Sequence, residues 1–145
     1  RAIVEKECIR RLVELGFVVI AAGGGGIPVY VEEDGTLEGV DAVIDKDRAA
    51  AVLGRDLGAS ELYILTGVDK VALNFGTPHQ QDLNELTLEQ AKKYLAEGHF
   101  PPGSMGPKIE AAIDFLQWGG KLVVITSIQG MPDALDGLTG TRIVP

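Results

Sequence analysis

Short, mostly apolar runs alternate with segments of helical periodicity along this chain of 145 residues. A run that is apolar at successive positions predicts a strand buried on both faces, as in a parallel sheet between helices. The alternation of such strands with helices predicts an α/β fold, a three-layer α/β/α sandwich with a mostly parallel central sheet. The predicted strands are residues 17–22, 42–44, 61–65, 122–125 and 141–144.

Helical segments are indicated by spacing and by capping residues. Val4, Cys8, Leu12 and Leu15 recur at helical intervals, so we expect a first helix with Cys8 buried on its apolar stripe. We expect a second helix to begin at Asp47 as its cap and to run to about residue 57.

Two further helices and a hairpin complete the predicted elements. Thr87 and Gln90 have the spacing of a capping box, which predicts a helix to about residue 97. Pro107 suits the first turn of a helix that ends near Trp118. The pair Asp34-Gly35 lies between two apolar segments, residues 29–31 and 36–40, and predicts a β-hairpin.

Length and charge narrow the classes of function. The length suits one domain, residues 1–145. The net charge of −8 disfavours nucleic acid as a partner, and glycines and a proline interrupt the uncharged stretch of residues 15–31, so we expect no membrane helix. A single cysteine excludes an internal disulfide and fits a reducing compartment, for which we predict the cytoplasm.

Small, polar or charged residues follow the predicted strands. In open α/β sheets, ligands bind beyond the carboxyl ends of the strands, so these loops predict a site along one edge. Ordinary loop composition remains the alternative for each loop taken alone. The loops are Gly23–Gly26, Asp45–Asp47, Thr66–Asp69 and Thr126–Ser127.

Two lysines lie at predicted helix starts. Lys108 follows a glycine-broken, proline-rich segment, and a cation in the first helical turn costs about 0.3–1 kcal/mol against the helix dipole. A bound phosphate would reverse that cost, so Lys108 is either a phosphate ligand or a solvated surface lysine. Lys46 is either an exposed ion-pair partner or a phosphate-binding lysine held by Asp47.

Other common site patterns are not found. No Walker loop or spaced dinucleotide fingerprint is present. His79 and His99 lie far apart and lack the spacing of metal ligands, so we predict no metal site formed by protein side chains.

An ordered set of motifs across nearly the whole chain resembles the carbamate kinases of the amino-acid kinase superfamily. The stretch Gly98–Met105 resembles that family in particular. The matching stretches are Ala22–Val29, Val43–Asp47, Leu65–Asp69, Asn74–Pro78 and Gly98–Lys108.

The resemblance implies a reversible transfer in which ATP and carbamate give ADP and carbamoyl phosphate, which many bacteria use in arginine fermentation. Lys46 and Lys108 would contact the phosphates as catalytic residues, and Asp47 would orient the lysines. Thr66, Gly67, Val68, Met105 and Pro107 would border the nucleotide, ATP or ADP with Mg²⁺. Gly23, Gly24, Gly25 and Gly26 would lie near the substrate crevice.

The resemblance also implies that this chain is the C-terminal, nucleotide-binding half of the enzyme. The family's N-terminal half carries a Gly-Gly-Asn-Ala loop, a further lysine and much of a homodimer interface, and none of these is in this sequence. We expect that missing half to be a partner of the chain. Two alternatives stay open: a kinase for another small acid, and a non-catalytic nucleotide-binding or assembly module.

Overall fold

The computed structural model describes residues 2–145. Its elements follow one another as five helices and eight strands within that range. In chain order they are α1 (Lys6–Glu14), β1 (Val29–Val31), β2 (Leu37–Gly39), α2 (Lys46–Leu57), β3 (Glu61–Thr66), β4 (Ala72–Leu73), β5 (Gln81–Asp82), β6 (Glu85–Thr87), α3 (Leu88–Ala96), α4 (Met105–Gln117), β7 (Leu122–Ser127), α5 (Met131–Leu135) and β8 (Thr141–Val144).

The main sheet has four strands in the order β3-β7-β8-β6. β3 pairs with β7 in parallel and β6 pairs with β8 in parallel, whereas β7 and β8 are antiparallel. The sheet is therefore mixed, with two parallel junctions and one antiparallel junction. The antiparallel pairing between β7 and β8 departs from the parallel order that the apolar runs predict.

Helices α2, α3 and α4 pack around one continuous core with the sheet. Phe115 and Ile109 of α4 meet Ile125 of β7 and Ile143 of β8 in a single cluster, and each is almost completely buried. Burial of side chains of this size stabilises the fold by about 1.5–3 kcal/mol each. Ile64 of β3 belongs to the same cluster, so the core holds α4 next to β3.

Most predicted helix ends and the hairpin are confirmed. Thr87 caps α3 in a capping box with Gln90. The prediction for α2 was wrong in one respect, because its N-cap is Asp45 and not Asp47. The Asp45 carboxylate accepts hydrogen bonds from the amides of Asp47 and Arg48, which leaves the Asp47 side chain available for another contact.

Residues 17–22 and 42–44 do not form the predicted strands. Val18 and Ile20 are each 98% exposed, and Val43 is 96% exposed. A strand needs a neighbour to pair its backbone groups, and the described residues supply none for these runs. Cys8 was also wrongly predicted to be buried, since it lies on the exposed side of α1.

Within residues 2–145, no helix is long and apolar enough to cross a membrane.

Candidate functional site

A cavity of about 380 Å³ opens where β3 ends and where α2 and α4 begin. Its volume lies within the range of small-molecule sites, about 300–1,000 Å³. The lining residues come from these element ends and from the loops beside them. They are Asp45, Lys46, Asp47, Thr66, Gly67, Val68, Lys70, Ala72, Phe75, Phe100, Pro101, Gly103, Ser104, Met105, Pro107 and Lys108.

The structure brings together residues from three of the segments singled out in the sequence. They were predicted one by one, and the fold places them on one cavity wall. The predicted residues that line the cavity are Lys46, Asp47, Thr66, Gly67, Val68, Met105, Pro107 and Lys108.

The glycine run lies outside this lining. Gly25 packs so closely on the carbonyl of Ile44 that an added Cβ would lie 2.2 Å from that oxygen, and Gly25 has a positive φ of 137°. The contact ties the glycine run to the residue just before Asp45. A role for Gly23, Gly24, Gly25 and Gly26 in the substrate crevice stays a prediction.

Asp47 stands between the two predicted lysines. Its Oδ2 accepts a hydrogen bond from the Nζ of Lys108 at 2.8 Å and lies 3.7 Å from the Nζ of Lys46. Lys108 and Asp47 are each 8% exposed, so Lys108 is not a solvated surface lysine. The Lys46 side chain is 58% exposed, which leaves its ammonium accessible to a ligand.

Local backbone geometry explains how these side chains reach one place. The Asp45 cap begins α2, so that Lys46 and Asp47 occupy its first turn. At α4 the Gly106 amide donates to the Pro101 carbonyl at 2.9 Å, and a Cβ on Gly106 would lie 3.0 Å from that oxygen. The glycine therefore allows the loop before α4 to fold back against the helix start.

The electrostatics at the start of α4 suit an anion. The first turn of α4 contains no acidic residue, and Ser104 forms no side-chain cap there. The Gly106 amide is already bonded to Pro101 and Pro107 has no amide hydrogen, so the attraction for negative charge at this helix start comes from the helix dipole. Residues 2–145 contain no group of three or more His, Cys, Asp or Glu side chains that could hold a metal ion.

An exposed ion pair borders the same helix junction. Arg48 of α2 bonds to Glu110 of α4, and this hydrogen bond and the charge of Glu110 raise the pKa of Arg48 above its ordinary value. Both side chains are well exposed, at 48% and 39%. Such a pair contributes little to stability, about 0–1 kcal/mol. The pair therefore differs from Asp47–Lys108 mainly in burial.

The sequence reasoning missed several lining residues. Lys70 follows β3, Phe75 follows β4, and Phe100 is a buried core residue that also lines the cavity. Lys70 donates a hydrogen bond from Nζ to Oδ1 of Asn84 at 2.6 Å. Because Lys70 directly follows the Thr66–Asp69 loop, the sequence could have indicated it as a residue of the site.

A second cavity of about 450 Å³ shares Gly67, Val68, Lys70 and Phe75 with the first. Ser127 is part of its wall, and Ser127 is the pairing partner of Thr66 at the ends of the parallel strands β3 and β7. The two predicted strand-end loops are therefore neighbours, as expected for parallel strands.

Residues 1–127 match the amino acid kinase family. Two curated relatives are a carbamate kinase-like protein of Escherichia coli and the carbamate kinase of Pyrococcus furiosus. The first is 51% identical over 99% of this chain and 46% of the relative. The second is 49% identical over 98% of this chain and 45% of the relative.

A solved structure, of carbamate kinase from Giardia lamblia bound to AMP-PNP, superimposes with a TM-score of 0.95. It is 43% identical, and the match covers 99% of this chain and 45% of that one. The chain spans less than half the length of these three proteins.

Proposed function

The chain belongs to the amino acid kinase family, and from that premise we propose that it is the C-terminal, nucleotide-binding half of a carbamate kinase. The observation that carries the proposal is Asp47, buried between Lys46 and Lys108 on the wall of the 380 Å³ cavity. Relatives that are named carbamate kinase and share about half of their aligned residues with this chain support the choice of reaction. AMP-PNP in the Giardia lamblia relative supports a nucleotide as ligand.

In the proposed reaction a carbamate oxygen attacks the γ-phosphorus of ATP, and the bond from that phosphorus to the β,γ-bridging oxygen breaks. The products are carbamoyl phosphate and ADP, and the reverse reaction makes ATP. Negative charge spreads over the phosphoryl oxygens during transfer, so positioned cations lower the barrier.

Each member of the Asp47 cluster has a separate role in this scheme. The exposed ammonium of Lys46 contacts the phosphates, and Lys108 supplies positive charge at the start of α4. Asp47 holds both ammonium groups in place, since its Oδ2 is within 4 Å of each Nζ. Thr66, Gly67, Val68, Met105 and Pro107 border the nucleotide. Mg²⁺ arrives with the nucleotide and neutralises part of its charge.

The wider setting is also part of the proposal. An N-terminal half completes the site for carbamate or carbamoyl phosphate, and the fold proposed for this chain is the three-layer α/β/α sandwich with a mostly parallel central sheet. The whole protein is a homodimer of the cytoplasm that acts in arginine metabolism.

Calorimetric titration with Mg-ADP tests the nucleotide site. We expect saturable binding by the unaltered chain and binding weakened at least about tenfold by Lys46→Ala, a loss of 1.4 kcal/mol. Lys121→Ala is the matched control, because Lys121 precedes β7 at the end of the sheet opposite Thr66. Equal losses in the two variants would contradict the site assignment.

Phosphoryl transfer separates a kinase from a non-catalytic module. In a chimera, this chain replaces the matching part of the Pyrococcus furiosus carbamate kinase. We expect the chimera to form ATP from carbamoyl phosphate and Mg-ADP, and Lys46→Ala to reduce that rate. A folded chimera that binds Mg-ADP and forms no ATP would favour a non-catalytic nucleotide-binding module.

A further inference from the structure

Thr141, the first residue of β8, bonds to two backbone groups that are distant in sequence. Its Oγ1 accepts a hydrogen bond from the Val71 amide at 2.8 Å and donates one to the Leu83 carbonyl at 2.5 Å. Thr141 is completely buried. One hydroxyl therefore satisfies a donor and an acceptor that water does not reach.

Val71 and Leu83 are the two ends of one loop, residues 71–83. The Leu83 amide also donates to the Val71 carbonyl at 2.8 Å, and β4 pairs with β5 just inside these ends. Thr141 is thus a side chain that joins the closed base of the 71–83 loop to the main sheet, next to the backbone hydrogen bond from the Arg142 amide to the Asn84 carbonyl.

The same loop forms walls of both cavities. Ala72 and Phe75 line the 380 Å³ cavity, and Phe75, Gln80 and Asp82 line the second one. Phe75 is 57% exposed, so its ring presents an apolar face that core packing does not hold in place. The position of this wall depends on how the base of the loop is attached.

We propose that Thr141 is a positioning residue for nucleotide binding. Its hydroxyl sets the 71–83 loop against β8, and the loop then forms one wall of the cavity. Without the hydroxyl, the Val71 amide and the Leu83 carbonyl lose a buried partner, and the loop base moves to recover hydrogen bonds. The proposal rests on the proposed nucleotide site and adds to it a residue that touches no ligand.

The test compares Thr141→Val, which removes the hydroxyl at nearly constant volume, with Thr141→Ser, which keeps it. Thr126→Val is the control for loss of a buried hydroxyl in the exchange measurement, since Thr126 is equally buried and its hydroxyl has no hydrogen-bond partner among the described residues. Each variant is titrated with Mg-ADP well below its melting temperature, and amide hydrogen exchange is followed across residues 71–83.

For Thr141→Val we expect faster exchange within the loop and a rise in Kd for Mg-ADP of roughly tenfold. Thr141→Ser should match the unaltered chain in both readouts, and Thr126→Val should match it in loop exchange. A lower melting temperature of Thr141→Val with unchanged Kd and loop exchange would show a purely structural role and overturn the proposal.

Two further outcomes are decisive. If Thr141→Val does not fold, amide hydrogen exchange in the unaltered chain is the deciding measurement. A Val71 amide that exchanges as fast as the amides at the loop tip would refute the attachment of the loop to Thr141. If the unaltered chain does not bind Mg-ADP, the proposed function fails and the role of Thr141 in affinity fails with it. Amide hydrogen exchange across residues 71–83 in Thr141→Val then tests separately whether Thr141 holds the loop base in place.

Discussion

The Nζ of Lys108 donates a hydrogen bond to Oδ2 of Asp47 at 2.8 Å across 61 positions of sequence. The pair joins the start of α4 to the start of α2 at the cavity wall, and both residues are nearly buried. A buried charge destabilises a fold unless an opposite charge pairs with it. The charges of Lys108 and Asp47 therefore offset each other's cost of burial. The same contact that orients the lysine also links two helices.

We expect Asp47→Ala to destabilise the chain by about 3–5 kcal/mol, because it leaves Lys108 as an uncompensated buried charge. Lys108→Ala should cost less, because the Nζ of Lys46 still lies 3.7 Å from Oδ2 of Asp47. The double variant should lose much less than the sum of the two single losses. Urea unfolding of the four proteins gives the coupling energy.

Arg48 and Glu110 provide the control, since they also join α2 to α4 but are exposed. Their coupling should be only about 0.2–1 kcal/mol. Similar coupling energies for the two pairs would contradict the view that burial makes the Asp47–Lys108 contact important.

Lys70 is expected to act as a further cation at the proposed nucleotide site. It lines both cavities, and within residues 2–145 no carboxylate pairs with it, so its charge is available to a phosphate. Loss of a hydrogen bond to a charged group costs about 1.5–3 kcal/mol, and we expect Lys70→Met to weaken Mg-ADP binding by that amount.

Adenosine makes the Lys70 experiment specific. It lacks the phosphates, so its affinity should be the same for Lys70→Met and the unaltered chain, with Lys121→Met as the control for lost charge. Equal weakening of adenosine and Mg-ADP in calorimetric titrations would point to a disturbed cavity and not to a phosphate contact.

Asp45 should contribute to stability as the N-cap of α2. Its carboxylate accepts from two amides of the first turn, and replacing such a cap by alanine costs about 0.5–2 kcal/mol. Thermal unfolding of Asp45→Ala measures the loss, and Asp41→Ala, four residues earlier and exposed, serves as the control. A melting temperature equal to that of the control would argue against the cap.

Asp56 near the end of α2 is expected to make stability depend on acid. Burial acts to raise the pKa of this carboxyl, but hydrogen bonds from Arg55 and the Ile3 amide, with the charges of Arg55 and Lys6, lower it below its ordinary value of 3.8. A carboxyl whose folded pKa is lowered stabilises the fold above its unfolded pKa and loses that contribution as the pH falls through its folded pKa.

The unfolding free energies of Asp56→Asn and of the unaltered chain should therefore differ most above pH 3.8 and converge at lower pH. Urea unfolding across that pH range measures the difference, and Asp136→Asn controls for the removal of one exposed carboxylate. A difference that stays constant with pH would show that the charge of Asp56 is not responsible.

The sequence alone determined the features that depend on neighbouring residues. The capping box of Thr87 and Gln90, the hairpin around Asp34-Gly35 and the position of Lys108 in the first turns of α4 all follow from local rules of turns and helix ends. The segments that line the cavity could likewise be predicted, because small and polar residues after apolar strands predict loops at a sheet edge.

Tertiary structure alone decided the features that depend on distant partners. Residues 17–22 are apolar enough for a buried strand, yet no described strand pairs with them and Val18 stays exposed. The direction of β8 against β7 is set by the path of the chain through α5 and not by the apolar residues of β8. The bonds from Thr141 to the base of the 71–83 loop join residues far apart in sequence, and no periodicity encodes such a pairing because it arises only when the core brings the elements together. The family resemblance implied that Asp47 orients the lysines, but its hydrogen bond with Lys108 likewise forms only in the folded chain.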